Sequence, residues 1–87
     1  MEVLLKIKNN EGLHARPAGI LAKKAAEFQS NIQISVNGQT KSAKSIMGIM
    51  SLSLKKDQEF KLIIEGPDAD NAHAAIAALV DSEFKTT

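Results

Sequence analysis

The chain has 87 residues, which is the size of one small globular domain. Its 11 basic and 10 acidic side chains give a net charge of +1, and only 3% of the residues are aromatic, so neither a nucleic-acid backbone binder nor a base-stacking surface is expected. The absence of cysteine excludes disulfides and thiol chemistry. No apolar run approaches the roughly 20 residues of a membrane span. We therefore expect a single domain, 1–87, in the cytoplasm, without nucleic-acid partners or membrane insertion.

Four segments are predicted to form strands. Three of them alternate apolar and polar residues, as half-buried strands do. A short polar strand, 39–42, follows the second across Asn37-Gly38, a pair that two-residue hairpin turns prefer because both residues tolerate positive φ. The alternating apolar positions are Met1, Val3, Leu5 and Ile7, then Ile32, Ile34 and Val36, and last Phe60, Leu62 and Ile64.

Segments with helical periodicity lie between and after these strands. A helix is predicted from Pro17 to Phe28 and another from Asp68 to Phe84, where Asp68 is placed to cap the second one. A short apolar helix lies between the third and fourth strands. The order β-α-β-β-α-β-α predicts an α+β fold whose antiparallel sheet has helices on one face. The predicted apolar stripes are Leu21, Ala22, Ala25 and Phe28, and Ala72, Ala75, Ile76, Leu79, Val80 and Phe84.

The segment 9–17 places a histidine where a strand gives way to a helix. Gly12 permits a sharp turn, and Pro17 fits the first turn of a helix because its missing N–H has no partner to lose there. His14 therefore falls at or next to the N-cap, where unpaired backbone N–H groups and the helix dipole favour an anion. The same field disfavours a protonated imidazole, so we expect a neutral His14 that can act as a nucleophile.

Arg16 is the only arginine of the chain and lies two residues from His14. Its planar guanidinium is suited to binding a phosphoryl group through two hydrogen bonds. The same residues also fit a plainer interpretation, in which His14 is a surface loop residue and Arg16 a solubilising charge. His73, inside the last predicted helix, is interpreted as a structural or surface residue, and no metal site is predicted.

Ser45 is placed to cap the short helix. Five apolar side chains in the next seven residues are more than one short stripe can bury, so Ile49 and Leu52 are predicted to face the sheet. Exposed Met and Ile side chains are typical of a docking surface. In the alternative, all five fill the core. The side chains predicted to be exposed are Ile46, Met47 and Met50.

The segments Gly12-Leu13-His14-Ala15-Arg16-Pro17-Ala18 and Ala43-Lys44-Ser45-Ile46-Met47-Gly48 closely resemble one protein family. This is the HPr family, the histidine-containing phosphocarriers of the bacterial phosphoenolpyruvate:sugar phosphotransferase system. The resemblance covers nearly the whole chain in length, element order and motif spacing. It implies an open-faced β-sandwich, with a four-stranded antiparallel sheet of order 1-4-2-3 covered on one face by three helices.

The resemblance also implies a function. His14 would accept on Nδ1 a phosphoryl group from phosphorylated enzyme I and pass it to the IIA domain of a sugar permease, and Arg16 would support the phosphohistidine. Ser45 matches the serine that an HPr kinase/phosphorylase modifies, which slows transfer and promotes docking to catabolite control protein A. The chain would be a monomeric, stoichiometric carrier without a cofactor, and not an enzyme.

Partners are expected to dock around His14, with lysines steering acidic partners. An HPr-like regulatory paralogue, in a nitrogen phosphorelay or in catabolite-repression signalling, is the main alternative. His14 argues against the catabolite-repression paralogue, in which the matching position is not histidine. A small-ligand or RNA-binding α+β domain is a more distant alternative. The residues expected to contact partners are Ala15, Ile20, Lys23, Ile46, Met47 and Met50.

Overall fold

The computed structural model describes residues 1–85, so positions 86 and 87 of the predicted domain lie outside the described residues. Four strands and three helices alternate in the predicted order β-α-β-β-α-β-α. None of these three helices is long and apolar enough to cross a membrane. The elements are β1 (Glu2–Lys6), α1 (Ala15–Ala26), β2 (Asn31–Val36), β3 (Gln39–Ser42), α2 (Ile46–Ser51), β4 (Glu59–Glu65) and α3 (Ala69–Asp81).

The four strands form one antiparallel sheet in the order β1-β4-β2-β3. The α+β class and the 1-4-2-3 order are therefore confirmed. In register, Leu62 of β4 lies opposite Val3 on one side and Ile34 on the other, which places a row of apolar side chains across three strands. The neighbouring row contains Leu4 and Lys61 and is exposed. One face of the sheet is thus apolar and covered, and the other is open.

The core fills the space between the covered face of the sheet and the helices. Strand residues such as Ile32 and Phe60 are almost fully buried, as are Leu21 of α1 and Ile76 of α3. Val36 and Gln39 are joined by the predicted tight turn, since Asn37 and Gly38 both have positive φ, at 52° and 79°. β3 itself is exposed at every position, as an edge strand of polar residues should be.

Both long helices end earlier than predicted. Phe28 and Phe84 were assigned to helical stripes, but α1 ends at Ala26 and α3 at Asp81. Phe84 is nevertheless fully buried, at a φ of 60°, and Phe28 is half-buried against the core. Buried positions recur at helical spacing through the turn that follows each helix, so the apolar pattern extends beyond the last helical residue.

The prediction that the Asp68 side chain caps the last helix is wrong. Asp68 occupies the N-cap position of α3, but its carboxylate makes no capping hydrogen bond. Instead it accepts hydrogen bonds from the backbone N–H of Gln29 and Ser30, at 2.8 and 2.9 Å, and from the Ser30 hydroxyl. The Ser30 hydroxyl, followed by the Gln29 N–H, lowers the pKa of Asp68. This side chain therefore ties the start of α3 to the turn between α1 and β2.

Candidate functional site

The loop before α1 is held in one conformation by its own residues and by a neighbouring segment. The buried Asn9 side chain donates through Nδ2 to the Gly12 carbonyl at 2.8 Å, and the Gly12 N–H donates to the Asn9 carbonyl at 3.2 Å. Leu13 donates its N–H to the Leu54 carbonyl at 3.0 Å. Gly12 has a φ of +66°, and a Cβ there would lie 2.3 Å from the Leu54 oxygen. This close approach fixes the backbone that leads into His14.

His14 is the N-cap residue of α1 and is exposed. Its backbone is extended, and its carbonyl accepts the first helical hydrogen bond, from Ala18 at 2.8 Å. Its side chain makes no capping hydrogen bond, so the imidazole is not used to build the helix. The N–H groups of Ala15 and Arg16 belong to the first turn, where a helix offers no acceptor, and Pro17 has no N–H. An accessible imidazole therefore lies beside two backbone donors and the positive end of the helix dipole.

Arg16 makes polar contacts with two other segments. Its Nη2 and Nε donate to the carboxylate of Glu11, at 2.5 and 3.4 Å, and its Nη1 donates to the Phe84 carbonyl at 3.1 Å. The hydrogen bond from Arg16 is the largest influence lowering the pKa of Glu11, and the positive charge of Arg16 adds to it. The same hydrogen bond raises the pKa of Arg16. The guanidinium of Arg16 is thus paired with an acid and with a backbone carbonyl, and its hydrogen bonds within residues 1–85 do not include one to the His14 imidazole.

The role of Glu11 as the partner of Arg16 is not predicted from the sequence. The available signal was an acid five residues before the only arginine, separated from it by a glycine turn that folds the chain back. Opposite charges at such a spacing are common, so the signal is weak without the backbone geometry. The contact of Arg16 with the Phe84 carbonyl joins residues 68 positions apart and has no local sequence signal.

A hollow of about 200 Å³ opens next to His14. Met50, which is expected to lie near the histidine, reaches it from α2, and Lys55 brings a positive charge that is not predicted from the sequence. Lys55 reaches this place because Leu54, its neighbour, is bonded to Leu13. The lining residues are Leu13, His14, Met50, Ser53, Leu54 and Lys55.

The short helix α2 presents apolar side chains to solvent. Met47 is 78% exposed, Ile46 46% and Met50 38%, and we call these three residues the α2 patch. Ile49 and Leu52 are buried, as predicted. The alternative in which all five side chains fill the core is therefore wrong. Their exposure is established by the structure, whereas a docking role remains a proposal.

Ser45 is the N-cap of α2, as predicted. Its Oγ accepts a hydrogen bond from the Gly48 N–H at 3.0 Å, and the residue is exposed. A Cβ at Gly48 would lie 3.2 Å from that Oγ, so glycine leaves room around the hydroxyl.

Two other residues expected at the docking surface, Ile20 and Lys23, line a second hollow of about 310 Å³, together with Leu79 of α3. Contact of these two residues with partners remains a proposal. Ala15 is exposed next to His14, and His73 is half-buried on α3. Within residues 1–85, no three acidic or histidine side chains cluster as a metal site would require.

Comparisons with known proteins agree on one family. The sequence profile of the family described as "PTS HPr component phosphorylation site" matches residues 1–82. The chain is 46% identical to the phosphocarrier protein HPr of Mycoplasma capricolum over 70 residues, which cover 80% of this chain and 79% of that protein. It is 39% identical over 80 residues to the multiphosphoryl transfer protein of Vibrio cholerae, covering 88% of this chain but spanning only 20% of that longer protein.

Solved structures give the same result. The fold superimposes on HPr from Thermoanaerobacter tengcongensis with a TM-score of 0.94 at 41% identity, covering 100% of this chain and 98% of that one. It also resembles Crh, a catabolite repression protein of Bacillus subtilis that was solved as a dimer with a swapped domain. For Crh the TM-score is 0.77 at 38% identity, with 99% and 94% of the two chains covered.

Proposed function

The chain belongs to the HPr family of phosphocarriers of the phosphotransferase system, and from that premise we propose that it carries phosphoryl groups from phospho-enzyme I to the IIA domains of sugar permeases. His14 is the proposed acceptor, through Nδ1. The observation that supports this most is the geometry of His14. Its imidazole is exposed at the N-cap of α1 and makes no capping hydrogen bond, and Arg16 lies in the first helical turn. The chain would act as a stoichiometric monomer without a cofactor and not as an enzyme.

The chemistry needs little from so small a protein. The imidazole lone pair forms a bond to phosphorus as the donor's bond to phosphorus breaks, and the donor's leaving group keeps the electrons of the broken bond. Phosphoryl transfer depends mainly on positioning and on stabilising charge. The N–H groups of Ala15 and Arg16 and the helix dipole would supply positive charge at His14, and the Arg16 guanidinium, two residues away, would add to it once it is released from Glu11. Exposure leaves the other side open to a partner.

We infer that partners dock on the surface that joins Ala15 to the α2 patch. The patch offers flexible methionine side chains, which adapt to more than one partner. Lys55 lies at the hollow beside His14, and Lys23 lies farther along α1, so both would attract acidic partners. A relay requires fast dissociation, and a small exposed patch fits interfaces at the small, transient end of the range.

Ser45 is proposed as a regulatory site for an HPr kinase/phosphorylase. A phosphate on its Oγ would lie at the N-terminus of α2, where negative charge is tolerated, and beside the α2 patch. Its charge would hinder docking of enzyme I and IIA domains while creating a feature that catabolite control protein A could bind. Incubation with ATP and the kinase should modify the wild type and leave Ser45→Ala unmodified.

A regulatory paralogue is the second candidate, because the chain is 38% identical to Crh. Such a protein would signal through Ser45 or in a nitrogen phosphorelay and would not feed sugar permeases. Discharge of the phosphoryl group to a sugar-specific IIA domain separates the two functions.

The test follows the phosphoryl group through the relay. With phosphoenolpyruvate and catalytic enzyme I, the wild type should gain one acid-labile phosphoryl group and lose it when a IIA domain is added. His14→Ala should gain none. His73→Ala is the matched control, since the chain has only these two histidines, and it should behave as wild type. Absence of uptake by the wild type would refute the carrier function, and uptake without discharge would favour the regulatory one.

A further inference from the structure

Arg16 is already engaged before any phosphoryl group arrives. Glu11 binds its Nη2 and Nε, and the Phe84 carbonyl binds its Nη1. The two charged side chains are each about half exposed, 51% for Arg16 and 47% for Glu11, so the ion pair can open without leaving a buried charge. A phosphoryl group on His14 must therefore compete with Glu11 for the only arginine near it.

We propose that Glu11 is a positioning residue that raises the phosphoryl-transfer potential of His14 by holding Arg16 in the unphosphorylated state. The inference rests on the proposed phosphocarrier function. When the N–P bond forms, the product carries a dianion two residues from Arg16. The Nε and Nη2 hydrogen bonds that Glu11 accepts can turn to that dianion only when the carboxylate gives them up, and the charge that Glu11 neutralises becomes fully available only then. The ion pair thus stabilises the unphosphorylated form alone, and the equilibrium shifts towards donation.

The charges around Glu11 indicate how it acts. The hydrogen bond from Arg16 is the main influence lowering the pKa of Glu11, and the charge of Arg16 adds to it. This agrees with the direct contact of the two side chains. Glu11 is therefore ionised at neutral pH, and its carboxylate contacts Arg16. We expect its effect on the phosphohistidine to depend on the guanidinium.

The experiment is a competition for a limited phosphoryl supply. Equal amounts of isotope-labelled wild type and unlabelled Glu11→Gln are mixed with catalytic enzyme I and less phosphoenolpyruvate than either would consume. Mass spectrometry at equilibrium gives the ratio of phosphorylated to unphosphorylated chain for each. The ratio should be about two- to fivefold higher for Glu11→Gln, the size expected of an exposed ion pair, and the difference should shrink at high salt.

Two further variants make the test specific. Glu2→Gln removes an acid from another exposed ion pair, with Lys61 at 3.3 Å on the open face of the sheet, and it should share phosphoryl groups equally with wild type. In an Arg16→Gln background, the effect of Glu11→Gln should fall by at least half. Equal sharing by Glu11→Gln, or an effect that persists undiminished without Arg16, overturns the inference. If every chain is phosphorylated equally, only the role of Glu11 fails, whereas no uptake by any chain also refutes the carrier function.

Discussion

Gly12 determines how closely the loop before His14 approaches the segment that joins α2 to β4. A side chain there would be strained by the positive φ, and its Cβ would clash with the Leu54 carbonyl oxygen at 2.3 Å. We expect Gly12→Ala to lower the free energy of unfolding in urea by about 2–4 kcal/mol.

Gly38 provides the matched control for this substitution. It also has a positive φ, of +79°, but nothing lies within 4 Å of an added Cβ. Gly38→Ala should therefore cost only backbone strain, about 1–2 kcal/mol. Equal losses in the two variants would contradict the close approach of the loop to Leu54.

Asp68 gives the protein a specific sensitivity to acid. Hydrogen bonds from Ser30 and Gln29 lower its pKa in the folded state below that of the unfolded chain. Its contribution to stability is therefore present above the unfolded value, roughly pH 4, and is lost as the pH falls through the folded value. Asp68→Asn should lower the free energy of unfolding at pH 7. The gap between variant and wild type should narrow below about pH 4, and urea titrations at pH 7 and pH 3 that show a constant gap would contradict this assignment.

At the residue level, a position could be predicted where the interactions that determine it lie within a few residues along the chain. His14 and Pro17 could be placed at a helix start because capping and proline preferences act within one turn. Glu11 required the direction of a glycine turn, and Lys55 required the pairing of Leu13 with Leu54, which a single sequence does not display.

At the scale of elements, α2 shows most clearly how an excess of apolar residues in the sequence leaves some apolar side chains exposed in the structure. Its buried stripe is a single residue, Ile49, with Leu52 just beyond the helix, and the α2 patch faces solvent. The amphipathic pattern could be read from the sequence because too many apolar residues follow Ser45 for one stripe. The ends of α1 and α3 could not be predicted from the sequence, because Phe28 and Phe84 continue the burial pattern after the backbone has left the helix.

The α2 patch can be tested by one charge. Met47→Glu places a carboxylate on the most exposed apolar side chain of the helix, so docking should weaken and phosphoryl transfer from enzyme I should slow by about tenfold, the effect of losing one strong interface contact. Stability should change by less than about 0.5 kcal/mol, as is usual for exposed positions. Stopped-flow or quenched transfer assays measure the rate.

Leu4→Glu is the control for the α2 patch. Leu4 is 66% exposed but lies on the open face of the sheet, so the same change of charge there should leave the transfer rate unchanged. Equal rates for Met47→Glu and wild type, or equal slowing in both variants, would contradict a docking role for the patch.

At the scale of the whole molecule, the antiparallel class and the element order followed from residue patterns, because alternation and helical periodicity report which face each element buries. The strand order 1-4-2-3 followed only from the resemblance to a family, since many pairings of four strands satisfy the same alternation. The fold then brings the loop before α1, Met50 of α2 and the segment after α2 together around one imidazole, and it leaves that imidazole exposed at a helix start.

The most direct measurement of the central claim is nuclear magnetic resonance of the ¹⁵N-labelled chain after phosphorylation by enzyme I. The account predicts one phosphorus resonance, coupled to Nδ1 of His14, with the resonances of His73 unchanged. A phosphorus signal coupled to His73, or a His14 ring that is unmodified when the chain carries its phosphoryl group, would contradict it.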